Sequence, residues 1–325
     1  MAKKSIFGNI NYNRFEMNKT ININSPVFLI GMPRSGTSII SEAISLHDDL
    51  GWISNWVNAF PRCYWLSALN RANSLPVLGA HLRGKKKQKE DISSTLRKFL
   101  PYSIEAFPVW EFLCGKKFSY QYLIDSCATE IEKKRVLSYI KNLLFFQGKQ
   151  RFFSKFTGPP RINFLNSIFE RPFFIHVTRD PRAVVSSLLN ISFWRENGLQ
   201  SPWWEGGLPE NYILEWIESG KSSAVLAAIQ WKRILEISWQ EKEIAGEDRY
   251  LELKYEDFVK SPHEHLNKIY DFVGLSESKK AHEYLKSVGK MKDMNYKYKE
   301  NLSEKEIISI ERTTRIVARK AGYEF

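Results

Sequence analysis

The residues whose types and spacing could do chemistry begin in a turn bounded by Gly31 and Gly36. Arg34 lies inside this turn and Thr37 and Ser38 follow it, so a positive charge and hydroxyl groups surround backbone N–H groups. The glycine spacing is that of a Walker A phosphate loop, but Thr37 stands where that loop has its lysine. We therefore predict a site for a terminal phosphate or sulfonate and not triphosphate cleavage, although a merely structural glycine turn is the simpler alternative.

A second basic group follows the apolar, β-prone segment Phe173–Val177. Arg179 stands at the carboxyl end of this segment, which is where open α/β sheets bind ligands. Asp180-Pro181 is typical of a helix start, because proline in the first turn loses no hydrogen bond. Ser187 follows two helical turns later. The pattern repeats the strand, turn and helix of the first motif and predicts a second anion site.

Two carboxylates, Glu105 and Glu111, lie among aromatic and apolar residues. Apolar surroundings raise the pKa of a carboxyl group, which adjusts a general base towards neutral pH. A structural ion pair with a lysine or arginine is an equally good interpretation of either residue. His47 is a third candidate base, whereas His176 falls inside a buried strand and is predicted to be a core residue.

These groups need elements that bring them to one edge of a sheet. The uninterrupted apolar run Val27–Ile30 predicts a strand buried on both faces, and helical periodicity resumes at Thr37. Arg151–Lys155 predicts another strand, which stops at a Gly-Pro-Pro break, and Arg249–Lys254 predicts a further one. We therefore expect an α/β fold with a central, mainly parallel sheet of four or five strands and helices on both faces.

Composition limits the class of protein. The 325 residues carry a formal net charge of +12 and are 43% hydrophobic, which allows a large core and favours polyanionic partners such as a phosphorylated cofactor. We expect no nucleic-acid partner, because no finger or RNA-binding signature accompanies the charge. No apolar run approaches the roughly 18 residues of a membrane span, and no secretory signal is evident. The three scattered cysteines predict a reduced, cytoplasmic protein without a metal site.

Together the two motifs resemble those of the sulfotransferases that use 3′-phosphoadenosine 5′-phosphosulfate (PAPS), in particular the bacterial type. Pro33-Arg-Ser-Gly-Thr-Ser38 after an apolar strand is similar to that family's 5′-phosphosulfate loop. Arg179 with Ser187 on the next helix is similar to its 3′-phosphate motif. The segment Tyr255-Glu-Asp-Phe258 extends the resemblance, which covers about residues 26–323.

The resemblance implies a P-loop-NTPase-like three-layer fold, with residues 1–25 as an irregular lead-in and 26–325 as a single domain. It implies transfer of a sulfonate from PAPS, as co-substrate and without a metal, to a hydroxyl or amine. The acceptor would be a small molecule, carbohydrate or lipid that the sequence does not identify, and the oligomeric state stays open. The donor-binding residues that it implies are Arg34, Ser35, Gly36, Thr37, Ser38, Arg179 and Ser187.

The catalytic residues follow only in part from the resemblance. Lys155, just before a proline break, resembles the lysine that touches the transferring sulfonate in cytosolic sulfotransferases. Those enzymes have a catalytic histidine two residues later, where this chain has Thr157. Our hypothesis for the base is therefore Glu105, with Glu111 second and His47 third.

Two loops and two other functions stay open. The Trp- and Gly-rich segment Phe193–Gly207 either stacks on an acceptor or plugs the fold, and Lys290–Lys299 either closes over the donor or is an exposed charged loop. The segment Gly84–Ser94 reads as a charged surface loop. One alternative function is a small-molecule or nucleotide kinase with a degenerate Walker loop, and the other is a non-enzymatic polyanion-binding protein.

Overall fold

The computed structural model describes residues 20–74 and 100–325. The predicted charged loop Gly84–Ser94 and residues 1–19 of the predicted lead-in lie outside the described residues.

A five-stranded sheet forms the centre of the fold. Its strand order is β2-β3-β1-β4-β5, and every pair of neighbours is parallel. The first strand begins before residue 26, because Asn22 already pairs with Arg151 before a register shift ahead of Val27. The strands are β1 Asn22–Gly31, β2 Leu50–Gly51, β3 Arg151–Lys155, β4 Phe173–Thr178 and β5 Tyr250–Lys254.

Helices cover both faces of this sheet, as predicted, and short 3₁₀ or π turns occupy Tyr64–Ser74, Trp194–Gly198, Glu247–Arg249 and Asn295–Lys297. In chain order the helices are α1 Thr37–Ser45, α2 Asn55–Ala59, α3 Phe107–Cys114, α4 Lys117–Tyr120, α5 Glu130–Gln147, α6 Ile162–Ile168, α7 Pro181–Leu189, α8 Glu210–Glu218, α9 Ser223–Ala245, α10 Tyr255–Lys260, α11 Pro262–Val273, α12 Lys279–Val288, α13 Tyr298–Asn301 and α14 Glu304–Lys320. Within the described ranges, we find no helix with the length and apolar character needed to cross a membrane.

The core forms on both faces because successive side chains of a strand point in opposite directions. Phe28 and Ile30 of β1 belong to one apolar cluster, which includes residues of α3, α5 and α6. Val27 and Leu29 belong to a second cluster, with α1, α11 and α12. The apolar run in β1 therefore reflects burial on two sides, as the sequence indicated.

Parallel pairing brings the functional segments to one edge of the sheet. The carboxyl ends of β1, β3, β4 and β5 lead directly into the Gly31–Gly36 turn, Thr157, Arg179 and Tyr255. This convergence follows from the topology, since all parallel strands end on the same side. The candidate active site is built on this edge.

Candidate active site

The turn between β1 and α1 requires glycine at both ends. Gly36 has φ +83°, and a Cβ atom there would lie 2.2 Å from the ring of Tyr255. A Cβ atom at Gly31 would lie 2.5 Å from the carbonyl oxygen of Val177. The helix that starts at Thr37 has no side-chain cap and no acidic residue in its first turn. Its first N–H groups and the positive end of its dipole are therefore available to an anion.

Arg34 connects the first anion motif to the second. Its Nε atom donates a hydrogen bond of 2.9 Å to Oγ of Ser187, and its carbonyl oxygen accepts one of 3.0 Å from Arg179. Its backbone has φ 73°, an uncommon conformation that costs free energy and that these contacts hold in place. Partial burial, and next the positive charge of Arg179, lower the pKa of Arg34. Two guanidinium groups so close together favour a ligand with several negative charges.

Arg179 is fixed on its other side by the basic segment Lys290–Lys299. Its Nε atom donates to Oδ1 of Asn295 at 2.9 Å, and Asn295 in turn donates to Oε1 of Glu256 at 2.6 Å. The guanidinium group lies 4.4 Å from the ring centroid of Tyr255. The basic segment therefore reaches the second anion motif, which is the position that closure over the donor would require.

The predicted catalytic residues form one cluster beside the first motif. The Nζ atom of Lys155 lies 3.1 Å from Oε1 of Glu105 and 3.3 Å from Oγ of Ser38. The hydroxyl of Thr157 donates a 2.8 Å hydrogen bond to the other carboxylate oxygen of Glu105. The four side chains come from three separate parts of the chain. Such an arrangement can neutralise charge on one side and accept a proton on the other.

Two adjoining cavities surround these groups, with volumes of about 620 and 400 Å³. The larger is lined by Glu105, Glu111, Thr157 and the start of α1, and by several aromatic rings. The smaller is lined by Ser187, Lys297 and residues of α7 and α13. Arg34, Arg179, Ile191 and Tyr255 line both cavities. A ligand with negative groups at two ends could therefore contact both.

The aromatic wall of the larger cavity comes from the predicted Trp- and Gly-rich segment. Phe193, Trp194 and Trp203 are in mutual ring contact, and Tyr120 approaches Trp203 with a centroid distance of 5.8 Å. These rings line the cavity, so the segment forms part of the cavity wall as well as packing on itself. The acceptor interpretation of this segment is the one that its position favours.

Not every predicted residue faces the cavities. The Oγ atom of Ser35 is buried without a hydrogen-bond partner among the described residues, and its side chain lines neither cavity. His47 accepts from the N–H of Asp49, and its other ring nitrogen lies 2.9 Å from the carbonyl oxygen of Ser276. His47 is therefore a buried structural residue and does not suit the role of base. Lys155 lies behind Ser38 and Glu105 and does not itself line the larger cavity.

Tyr255 is a site residue that the sequence reasoning did not single out. Its ring packs on Gly36, lies beside Arg179 and lines both cavities. Its place in the sequence contained a signal, because it directly follows a strand whose carboxyl end had to reach this edge. Among the described residues we find no group of three potential metal ligands, and His263 instead pairs with His282.

The chain is similar in sequence or fold to several proteins that are named as sulfotransferases. The omega-hydroxy-beta-dihydromenaquinone-9 sulfotransferase Stf3 of Mycobacterium bovis is 22% identical over 280 residues, which are 80% of this chain. The chain spans only 65% of the length of the curated relatives it matches. The crystal structure of sulfotransferase STF9 from Mycobacterium avium has a TM-score of 0.58 at 17% identity, covering 94% of this chain and 78% of that one.

A second solved structure, the sulfotransferase domain from the curacin biosynthetic pathway, has a TM-score of 0.52 at 13% identity and covers 94% of this chain and 99% of that one. These structural similarities support the fold. The family assignment rests on sequence, because the model of the family described as "Sulfotransferase family" matches residues 26–279. This match includes both anion motifs and the Glu105–Lys155 cluster, and the chain belongs to the sulfotransferase family.

Proposed function

We propose that the protein transfers the sulfonate group of PAPS to a hydroxyl group of an acceptor in the larger cavity. The observation that carries this proposal is the hydrogen bond between Arg34 and Ser187, which joins two anion-binding motifs into one site. A donor with a 3′-phosphate and a 5′-phosphosulfate has negative charge at both ends. The family assignment favours this reaction over a kinase or a non-enzymatic polyanion binder.

The residues fit such a donor. The uncapped start of α1, with Gly36, Thr37 and Ser38, would hold the phosphosulfate end, and Arg34 would add positive charge to it. Arg179 and Ser187 would hold the 3′-phosphate through charge-assisted hydrogen bonds. When bound, the donor supplies the electrophilic sulfonate. Since the side chain of Ser35 is buried, we assign to that residue only its place in the turn.

The Glu105 cluster would then perform the chemistry. Glu105 takes the proton of the acceptor hydroxyl while the hydroxyl oxygen forms a bond to the sulfur of the donor. At the same time the bond between this sulfur and the leaving phosphate oxygen breaks. Ser38, which lines the cavity, would stabilise the negative charge that develops on that oxygen, and Lys155 would add its positive charge from behind Ser38. The ion pair between Lys155 and Glu105 holds the carboxylate of Glu105 close to the reacting group. The site would also lower the reaction barrier by holding the acceptor oxygen, the sulfur and the leaving oxygen in line.

The acceptor and the compartment are further parts of the proposal. The relative Stf3 is named for a hydroxylated menaquinone, which supports an alcohol as the acceptor class here. The cavity offers aromatic surface to such a molecule. We place the reaction in the cytoplasm, because Cys63, Cys114 and Cys127 are all free thiols.

Replacing Glu105 with Gln tests the proposed chemistry. Glutamine keeps an acceptor for Thr157 but cannot take a proton, so turnover should fall on the order of 100-fold or more. The measurement is release of adenosine 3′,5′-bisphosphate from PAPS with 4-ethylphenol and 1-octanol as probe alcohols. Glu243→Gln, an exposed change on α9, should behave like the unchanged protein.

Two results would count against this proposal. Near-normal turnover by Glu105→Gln, with donor affinity intact by calorimetry, would remove Glu105 as the base. Failure of the unchanged protein to release the bisphosphate with either alcohol would contradict sulfonate transfer to hydroxyl groups of this size.

A further inference from the structure

Among the residues that the structure describes, Glu111 differs from Glu105 in having no hydrogen-bond or ion-pair partner for its carboxylate. Both carboxylates line the larger cavity, but Glu105 is held by Lys155 and Thr157. The carboxylate of Glu111 makes no hydrogen bond or ion pair with any residue in the described ranges, although it is only partly exposed. A carboxylate in this position keeps its water until a ligand displaces it. The structure thus contains one cavity carboxylate that the proposed chemistry does not use.

The rest of the cavity wall is aromatic and angled. The rings of Phe193 and Trp203 meet at 74° with centroids 5.1 Å apart, and Trp194 meets Trp203 at 63°. Tyr120 meets the same indole at 52°. Rings at such angles present π faces in several directions, and such faces attract cations. Phe193 and Tyr120 are also about half exposed, so their faces are accessible to a ligand.

These two features together select the charge of the acceptor. A wholly apolar ligand would strip water from the Glu111 carboxylate and offer no hydrogen-bond donor in return, which costs free energy. An anionic ligand would be repelled by the same group. A protonated amine satisfies the carboxylate and also gains from the π faces. The cavity therefore suits an acceptor that carries a positive charge beside its hydroxyl group.

We infer that Glu111 and the aromatic wall select a cationic amino alcohol or aminoalkyl phenol as the acceptor. This inference rests on the proposed function, because it concerns the acceptor of that reaction. Glu105 takes the proton of the hydroxyl group, and Glu111 binds the ammonium group. Glu111 is thus a specificity residue and not a second base.

Three phenols of similar size test the charge preference. Tyramine is cationic, 4-ethylphenol is neutral and 3-(4-hydroxyphenyl)propionate is anionic. Their affinities are measured by calorimetry with adenosine 3′,5′-bisphosphate already bound, which occupies the donor site and neutralises its arginines. We expect tyramine to bind about tenfold more tightly than 4-ethylphenol, and the propionate to bind most weakly.

Glu111→Gln should reduce the ratio of tyramine to 4-ethylphenol affinity to near one, whereas Glu243→Gln should leave it unchanged. Equal binding of the three phenols, tighter binding of either other phenol, or no binding of any would overturn the inference. So would a ratio that survives Glu111→Gln. The bisphosphate titration that precedes each experiment tests the donor site independently, so failure of the charge preference is distinguishable from failure of the proposed function.

Discussion

Arg34 and Arg179 place two positive charges where two separate sequence motifs meet. Neither motif alone distinguishes a specific site from a general anion-binding turn. The hydrogen bond from Arg34 to Ser187 and the one from Arg179 to the Arg34 carbonyl make them one structure. We propose that Arg179 binds the 3′-phosphate, because it lies at the end of β4 in the position of the family's 3′-phosphate motif.

Arg179→Ala should therefore discriminate between nucleotides. Loss of a charged hydrogen-bond donor should weaken the binding of adenosine 3′,5′-bisphosphate by roughly 10- to 100-fold, and the binding of AMP much less. Calorimetric titration of both nucleotides measures the two effects. Arg171→Ala, which removes an exposed arginine paired with Asp248, is the matched control. Equal weakening of both nucleotides would remove Arg179 from the 3′-phosphate role.

The sequence indicated which residues lie at the candidate site, but not which way their side chains point or what they contact. Glycine, arginine and the position of Lys155 are legible in the sequence, because they follow strands that must end at one edge. The sequence does not reveal that Glu105 is the partner of Lys155, since the two residues are far apart in the chain. The burial of Ser35 is likewise a matter of how the turn packs. The aromatic surroundings made both Glu105 and Glu111 candidates for the base, with Glu105 ranked first. In the structure, the contacts of Glu105 with Lys155 and Thr157 distinguish it from Glu111.

The element that determines the site is the turn from β1 to α1. It was predictable because an apolar strand, two glycines and a helical period are all local signals. The periodicity of residues 124–145 predicts a helix that starts at Ile124, but α5 begins at Glu130, where Thr129 forms a capping box. Leu123 and Asp125 have φ near +50°, which a helix does not allow. That backbone conformation depends on tertiary packing, so periodicity alone did not reveal it.

Gly36→Ala tests whether this turn needs its glycine. The change adds the strain of φ +83° and a collision with the Tyr255 ring. Gly274→Ala is the matched control, because Gly274 has φ +68° but no atom within 4 Å of an added Cβ. We expect Gly36→Ala to lower the free energy of unfolding by about 2 kcal/mol more than the control. Urea denaturation measures the free energy of unfolding of both variants. Equal decreases would show that the Tyr255 ring moves away from the added Cβ atom without a cost in stability.

At the scale of the whole molecule, the parallel sheet accounts for both stability and function. Its central strands β1, β3 and β4 are buried over residues 26–31, 151–155 and 174–178, and their carboxyl ends carry the site. The class of fold and the number of strands were predictable from apolar runs and their spacing. We propose that residues 26–325 act as one domain, because α14 packs on α9 and Tyr323 bonds to Thr178 at the end of β4.

His176 links the stability of the sheet to pH. It is fully buried in β4, one ring nitrogen lies 2.6 Å from the Tyr250 hydroxyl, and burial lowers its pKa to about 4. Because the folded-state pKa is below the unfolded value of about 6.5, its contribution is complete above pH 6.5 and is lost as the pH falls towards 4. The free energy of unfolding should fall by about 3 kcal/mol over this range from His176 alone.

His176→Asn should flatten this part of the pH dependence. Urea denaturation of both proteins between pH 4 and 7 gives the slope of the free energy of unfolding against pH for each. The difference between the two slopes removes the contribution of the carboxylates, which both proteins share. If the free energy of unfolding depended on pH in the same way in both proteins, protonation of His176 would not destabilise the fold.

The most direct test of the account compares adenosine 3′,5′-bisphosphate with ATP and magnesium by thermal shift. A ligand at about 100 times its Kd stabilises a protein by roughly 2.7 kcal/mol, which raises the melting temperature measurably. We predict a shift with the bisphosphate and a much smaller one with ATP and magnesium. A shift with ATP and magnesium alone, or with neither nucleotide, would contradict the assignment of the two anion motifs to a 3′-phosphorylated donor.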